Sequence, residues 1–114
     1  MSRDYKVHLE DILGAIDKIL RYTDGISFGE FSKDSKTIDA VIRNLEIIGE
    51  AIKKIPEDIR RLNPNIDWKK IAALRDILIH EYFGIDNEIV WDILRNKLPA
   101  LKEQISVLLK NLPI

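Results

Sequence analysis

The sequence predicts an all-α fold: an antiparallel four-helix bundle with a short extra helix, in one domain spanning residues 1–114. Three observations carry that prediction. Apolar residues recur at helical spacing along nearly the whole chain, and no stretch alternates in the manner of a strand. Asp24-Gly25, Asn63-Pro64-Asn65 and Gly84 cut these stripes into segments of helical length. Hydrophobic residues at 46% and charged residues at 32% give a globular composition with enough apolar mass for a modest core.

In the first helix Tyr5, Leu9, Ile12, Leu13, Ile16, Ile19 and Leu20 form one stripe, which Asp24-Gly25 ends. Phe28 and Phe31 fall in a Gly- and Ser-containing connector and are expected to fold back as apolar plugs. The second helix has the clearest pattern. Ile38, Val41, Ile42, Leu45, Ile48, Ile52 and Ile55 line one face, Asp39, Arg43, Glu46, Glu50 and Lys53 the other, and Asp34 or Ser35 supplies the cap. Pro56 suits the first turn of a short helix ending near Leu62.

Asp67 is placed to cap a third main helix running from Trp68 to about His80. Asp86 should cap the last, whose stripe is Ile89, Val90, Ile93, Leu94, Leu98, Leu101, Ile105 and Leu108, and Pro99 should bend it. The third main helix departs from simple amphipathicity. Ile71, Leu74 and Leu78 make one face, Ala73 and Ile77 a second, Ala72 and Ile79 a third. A helix that is apolar nearly all round is covered on most sides. Either it is central in the bundle or it meets a second copy across a twofold axis, and the subunit interface of a homodimer is the preferred reading.

Several function classes are excluded early. With no cysteine, the chain has no disulfide, zinc–thiolate site or thiol nucleophile. No apolar run is long enough for a signal peptide or membrane span, so a cytoplasmic location without membrane association is expected. A net charge of −1 requires any nucleic-acid contact to come from a local basic patch. No cofactor or metal is implied. His8, with Asp4 and Asp11 nearby, is read as a solvated surface histidine in preference to a metal ligand.

Against this background Leu74-Arg75-Asp76-Ile77-Leu78-Ile79-His80-Glu81-Tyr82 stands out, because it sets an arginine, an acid, a histidine and a tyrosine into an otherwise apolar segment. Burying such groups costs free energy unless they are paired. Chemistry on a phosphodiester needs them. His80 would move a proton from a ribose 2′-hydroxyl or to the departing 5′-oxygen. Arg75 would neutralise charge building on the phosphoryl oxygens, and Asp76, one turn from His80, would orient the imidazole. Together they would suffice for metal-free RNA cleavage by transesterification.

Arg75 lies about 140° round the helix axis from His80, so an undistorted helix does not easily present both to one atom. Either the helix loosens near His80 or the site pools residues from two subunits. Structural roles also fit these residues singly. Arg75 could pair with Asp76 or Glu50, His80 could serve as a helix C-terminal cation, and Tyr82 could pack. Arg43, Glu50, Lys69 and Arg95 are candidates for an RNA-binding cleft rim.

At these residues the chain resembles the HepT-like branch of the HEPN superfamily, whose signature is an Arg, then four to six residues, then His, with Tyr two positions later. Arg75, His80 and Tyr82 fit it, and Asp76 occupies the position after the arginine where Asn is frequent. The resemblance covers nearly the whole chain. Arg43-Asn44-Leu45-Glu46-Ile47-Ile48-Gly49-Glu50-Ala51 is similar to the family's second-helix block, and Ile66-Asp67-Trp68 to its approach to the motif helix.

The resemblance implies a homodimeric HEPN bundle acting as a metal-independent endoribonuclease toxin of a type VII-like toxin–antitoxin pair. A minimal nucleotidyltransferase antitoxin would neutralise it by attaching AMP to Tyr82. The alternative is a non-catalytic helical module that binds a nucleotide or the nucleotidyltransferase, with Arg75 gripping phosphate.

Overall fold

A computed structural model of the chain describes residues 5–80 and 86–112, with residues 75–80 described by their backbone alone. Within that range the chain is helical and forms no strand. The helices are α1 (Tyr5–Tyr22), α2 (Phe28–Lys33), α3 (Ser35–Lys53), α4 (Glu57–Leu62), α5 (Trp68–His80), α6 (Asn87–Asp92) and α7 (Leu98–Lys110), with a π-helical turn, Ile93–Lys97, joining the last two. The all-α bundle expected from the apolar spacing is what the chain forms.

The connector expected after α1 is itself a helix. Ser27 and Glu30 close a capping box at its start: Ser27 Oγ accepts from the Glu30 N–H at 3.1 Å, and Glu30 Oε1 accepts from the Ser27 N–H at 3.0 Å. The two phenylalanines behave as expected. Phe31 is fully buried and Phe28 half-buried, with ring centroids 5.1 and 6.0 Å from that of Trp91. Asp34 alone separates α2 from α3. Its carboxylate accepts from the Thr37 hydroxyl at 2.6 Å and from the Thr37 N–H at 3.1 Å, so of the two candidate caps Asp34 serves.

The core is a seam along α1, α3 and α7. Leu9, Ile12, Ile16 and Ile19 meet Leu45, Ile48 and Ile52, and Leu94, Leu98 and Ile105 close the other side; all are at most 1% exposed. Burying each such side chain contributes about 1.5–3 kcal/mol relative to exposure. The buried surface of α3 is wider than its apolar stripe, because Asn44 and Ala51 are buried too. Those residues extend the covered arc to about half the circumference. The reason is that α3 packs along α1 and along α5. Asn44 tolerates burial by donating its amide to the Ala40 carbonyl at 2.9 Å.

The last helix is less regular than its stripe implies. Proline at 99 lacks the N–H for an α-helical bond to residue 95, and its ring crowds that carbonyl. The chain responds by widening: the Leu98 N–H donates to the Ile93 carbonyl, five residues back, and Pro99 falls in the first turn of α7. Ile89 was expected in the core but is 60% exposed. Outside the π turn, α6 packs mainly on α2, which covers only the row led by Val90.

Arg95, projecting from the π turn, clasps this end of the molecule. One of its terminal nitrogens donates to the Thr23 carbonyl at 2.7 Å and to the Ile26 carbonyl at 3.0 Å, while the guanidinium lies 4.3 Å from the Trp91 ring centre. Further along, Lys102 and Asp17 pair at 2.9 Å, so α1 and α7 run antiparallel.

Two outcomes follow. Replacing Arg95 by alanine leaves two carbonyls without their donor and Trp91 without its cover, and should cost about 2 kcal/mol in urea unfolding. Thr37, chiefly through its hydroxyl, holds the Asp34 carboxyl below its usual value of 3.8. A depressed carboxyl stabilises above its unfolded value and loses that effect as pH falls through the folded one. The stability gap between the native chain and Asp34→Ala should therefore be constant above pH 3.8 and close under more acidic conditions, as followed by circular dichroism.

Candidate active site

The helix that carries the motif begins in a built corner. Asn63 donates its amide to the Ile59 carbonyl, and the Trp68 indole N–H donates to the Asn63 carbonyl, each at 2.9 Å. Asp67 Oδ1 accepts from the Lys70 N–H at 3.3 Å, so the expected cap is in place. Trp68 and Ile66 are buried beneath this turn, which fixes the direction in which α5 leaves it.

From there the backbone stays α-helical to His80. Arg75, Asp76 and His80 all stand on this helix, and their side chains lie outside the described residues. Tyr82 and Gly84 lie outside them altogether. The backbone nevertheless decides one point. Because the helix does not loosen before His80, Asp76 and His80 keep positions one turn apart, and Arg75 stays about 140° round from His80.

The surroundings of α5 decide a second point. It packs chiefly along α3; Ile71, Ala72, Ala73 and Leu74 are half-buried, with Ile71 and Ala72 against the core. Among the described residues the helix thus has one main neighbour and lies at an edge. The thinnest dimension, 21 Å, is about two helix diameters, so an edge helix keeps an outer face.

The candidate rim residues divide. Arg43 and Glu50 are exposed on one face of α3, seven residues apart, and Lys69 is exposed in the first turn of α5. Arg95 is elsewhere. Its guanidinium is committed to the turn after α1 and to Trp91, which leaves it little to offer a phosphate. His8 is half-exposed on α1, while Asp4 lies outside the described residues. Among the described residues no group of three or more His, Asp or Glu side chains is placed to hold a metal ion, and no helix is long and apolar enough to cross a membrane.

Reasoning from sequence missed the clasp at Arg95 and the capping box at Ser27. The first has no local signature, since its partners are about seventy positions away. The second was legible, as Ser followed three residues later by Glu.

Comparison with known proteins identifies the family. The family described as Ribonuclease HepT-like matches residues 12–108. A Thermococcus cleftensis protein named "Probable ribonuclease HepT" is 48% identical over 110 residues, covering 96% of this chain and all of its own length. A Methanocaldococcus jannaschii protein named "Putative RNase MJ0127" is 47% identical over 111 residues, 97% of this chain and 92% of its own. A Caldanaerobacter subterraneus protein named "Putative RNase TTE0752" is 41% identical over 103 residues, 90% of this chain and 92% of its own. No solved structure matches. With most of its length matched by the family and by relatives above 40% identity, the chain belongs to the HepT-like ribonuclease family.

Proposed function

We propose that this chain is a metal-independent endoribonuclease whose site is shared between two copies of α5 in a homodimer. The observation that carries the proposal is a helix of a HepT-like ribonuclease that bears Arg75, Asp76 and His80, stays regular to His80 and has a half-exposed outer face. A regular helix separates Arg75 from His80 around its axis. A second copy crossing the first brings the arginine of one near the histidine of the other. The half-buried Ala73 and Leu74, which are not among the residues packed against the core, give such a crossing apolar surface to cover.

The chemistry follows from the groups. The imidazole of His80 removes the proton from the ribose 2′-hydroxyl, and the oxygen attacks the adjacent phosphorus. The bond to the 5′-oxygen breaks as that oxygen takes the proton back from the imidazolium formed in the attack, leaving a 2′,3′-cyclic phosphate and a 5′-hydroxyl. Arg75 meets the charge on the non-bridging oxygens, and Asp76, one turn from His80, orients the ring.

A toxin of this kind needs restraint. In the proposed pairing a minimal nucleotidyltransferase transfers AMP from ATP to the hydroxyl of Tyr82, two positions past His80, as the bond between the α- and β-phosphates breaks and pyrophosphate leaves. The transferred group adds a negative charge and bulk where the RNA phosphate would lie, so it competes for Arg75 and blocks entry.

Arg75→Ala and His80→Ala should each lower cleavage of total RNA at least a hundredfold in chelator while circular dichroism stays native. Full cleavage by either folded variant would remove the proposed chemistry. With the partner enzyme and ATP, intact-mass measurement should show one added AMP per chain, lost in Tyr82→Phe. An unmodified wild-type chain would remove the regulatory half of the proposal. Failure to cut any RNA, with nucleotide or partner binding intact, would instead favour a non-catalytic binding module.

A further inference from the structure

Charge is spread unevenly over this chain. Its formal net charge is −1, yet the stretch from Lys53 to Lys70 holds six basic side chains against three acidic ones. That stretch comprises the end of α3, all of α4 and the first turn of α5. Hydrogen bonds make it one corner: Asn63 and Trp68 tie α4 to α5, and Gln104 of α7 donates its amide to the Asn65 carbonyl at 2.9 Å. Ile55, Ile59 and Ile66 are buried under it.

Two of the three acidic members of the corner are occupied with backbone. Asp67 caps α5 and also lies 3.7 Å from the Lys70 ammonium, and Asp58 accepts from the Ile59 N–H at 3.0 Å. Glu57 and Asp58 both fall in the first turn of α4, where the helix dipole favours negative charge. The basic members are differently placed. Lys54, Arg61 and Lys69 are exposed and form no ion pair among the described residues. Unpaired cations gathered on one corner of an otherwise acidic protein form an electrostatic footprint for a polyanion.

Register links this corner to the motif. Lys69 precedes His80 by eleven residues, which on a regular helix puts the two within about 20° of each other and about 16 Å apart along the axis. Ala73, small and half-buried, occupies the turn after Lys69 on this side. A strand held at the motif end of α5 can therefore run back along the helix to the corner without climbing over a large side chain in that turn.

We infer that the corner formed by Lys54, Arg61 and Lys69 holds the phosphates of single-stranded RNA flanking the cleaved linkage. The inference rests on the ribonuclease reading above and extends it to a binding surface away from the reacting atoms. Contacts of this kind carry affinity without reading sequence.

The test uses a labelled single-stranded 2′-O-methyl RNA, which lacks the attacking hydroxyl and is not cut. Its affinity is measured by anisotropy across a salt series for the wild type, for Lys54→Ala/Arg61→Ala/Lys69→Ala, and for the remote triple variant Lys6→Ala/Lys18→Ala/Lys36→Ala. Each phosphate contact on a single strand contributes about 0.7 to the slope of log affinity against log salt, so the corner variant should lose about 2 from that slope. The remote variant should keep most of it. An unchanged slope in the corner variant, or an equal loss in the remote one, overturns the inference even when the wild type cuts RNA.

Cleavage of a dinucleotide, too short to reach the corner, separates the two readings. Lys54→Ala/Arg61→Ala, which leaves the rim residue Lys69 in place, should cut it at the wild-type rate, and a loss there overturns a purely binding role. A wild type that cuts neither dinucleotide nor long RNA, with the slope still reduced in the corner variant, overturns the ribonuclease reading and leaves the corner as an RNA-binding surface.

Discussion

Everything distinctive about this molecule depends on how α3 is packed. It is buried over about half its circumference because α1 lies along one flank and α5 along the other. That arrangement fixes α5 at the edge of the chain, held chiefly by one neighbour and by the Asn63–Trp68 corner at its start. A motif helix in the middle of the bundle would be covered by its own chain. At the edge it has a face left over, and the proposed chemistry and the proposed dimer both draw on that face.

The far end of the molecule is built for rigidity. Pro99 forces a π turn, the turn carries Arg95, and Arg95 locks two carbonyls after α1 while stacking on Trp91, which in turn meets Phe28 and Phe31. Sequence reasoning alone placed Arg95 among possible phosphate contacts, as it would any arginine near the motif helix. Its hydrogen bonds instead make it part of the scaffold that holds α2 and α6 together. The basic surface is concentrated at the other corner, where Lys54, Arg61 and Lys69 lack such commitments.

Much of the fold was legible because α1, α3 and α7 are governed by one local rule, apolar residues on a 3.6-residue period. Asp34, Asp67 and Asp86 were legible as caps for a similarly local reason: a short acceptor side chain bonds an N–H two or three residues ahead. Reading failed where the deciding partner is distant or the period breaks. Asn44 is buried although it is polar, because α3 packs along both α1 and α5. Ile89 fits the period but is 60% exposed, because α6 packs on α2 through the row of Val90. Family membership was legible in residue type and spacing at the motif; side-chain geometry at Arg75 and His80 follows from packing between helices, which no spacing encodes.

The central claim is that the reacting groups come from two copies of α5. Mixing Arg75→Ala with His80→Ala protein tests it most directly, because a mixed dimer then carries one complete pair drawn from opposite chains. Cleavage in the mixture at a substantial fraction of the wild-type rate, where each variant alone is inactive, is the result the account predicts. A mixture that forms mixed dimers and remains as inactive as its components would contradict it.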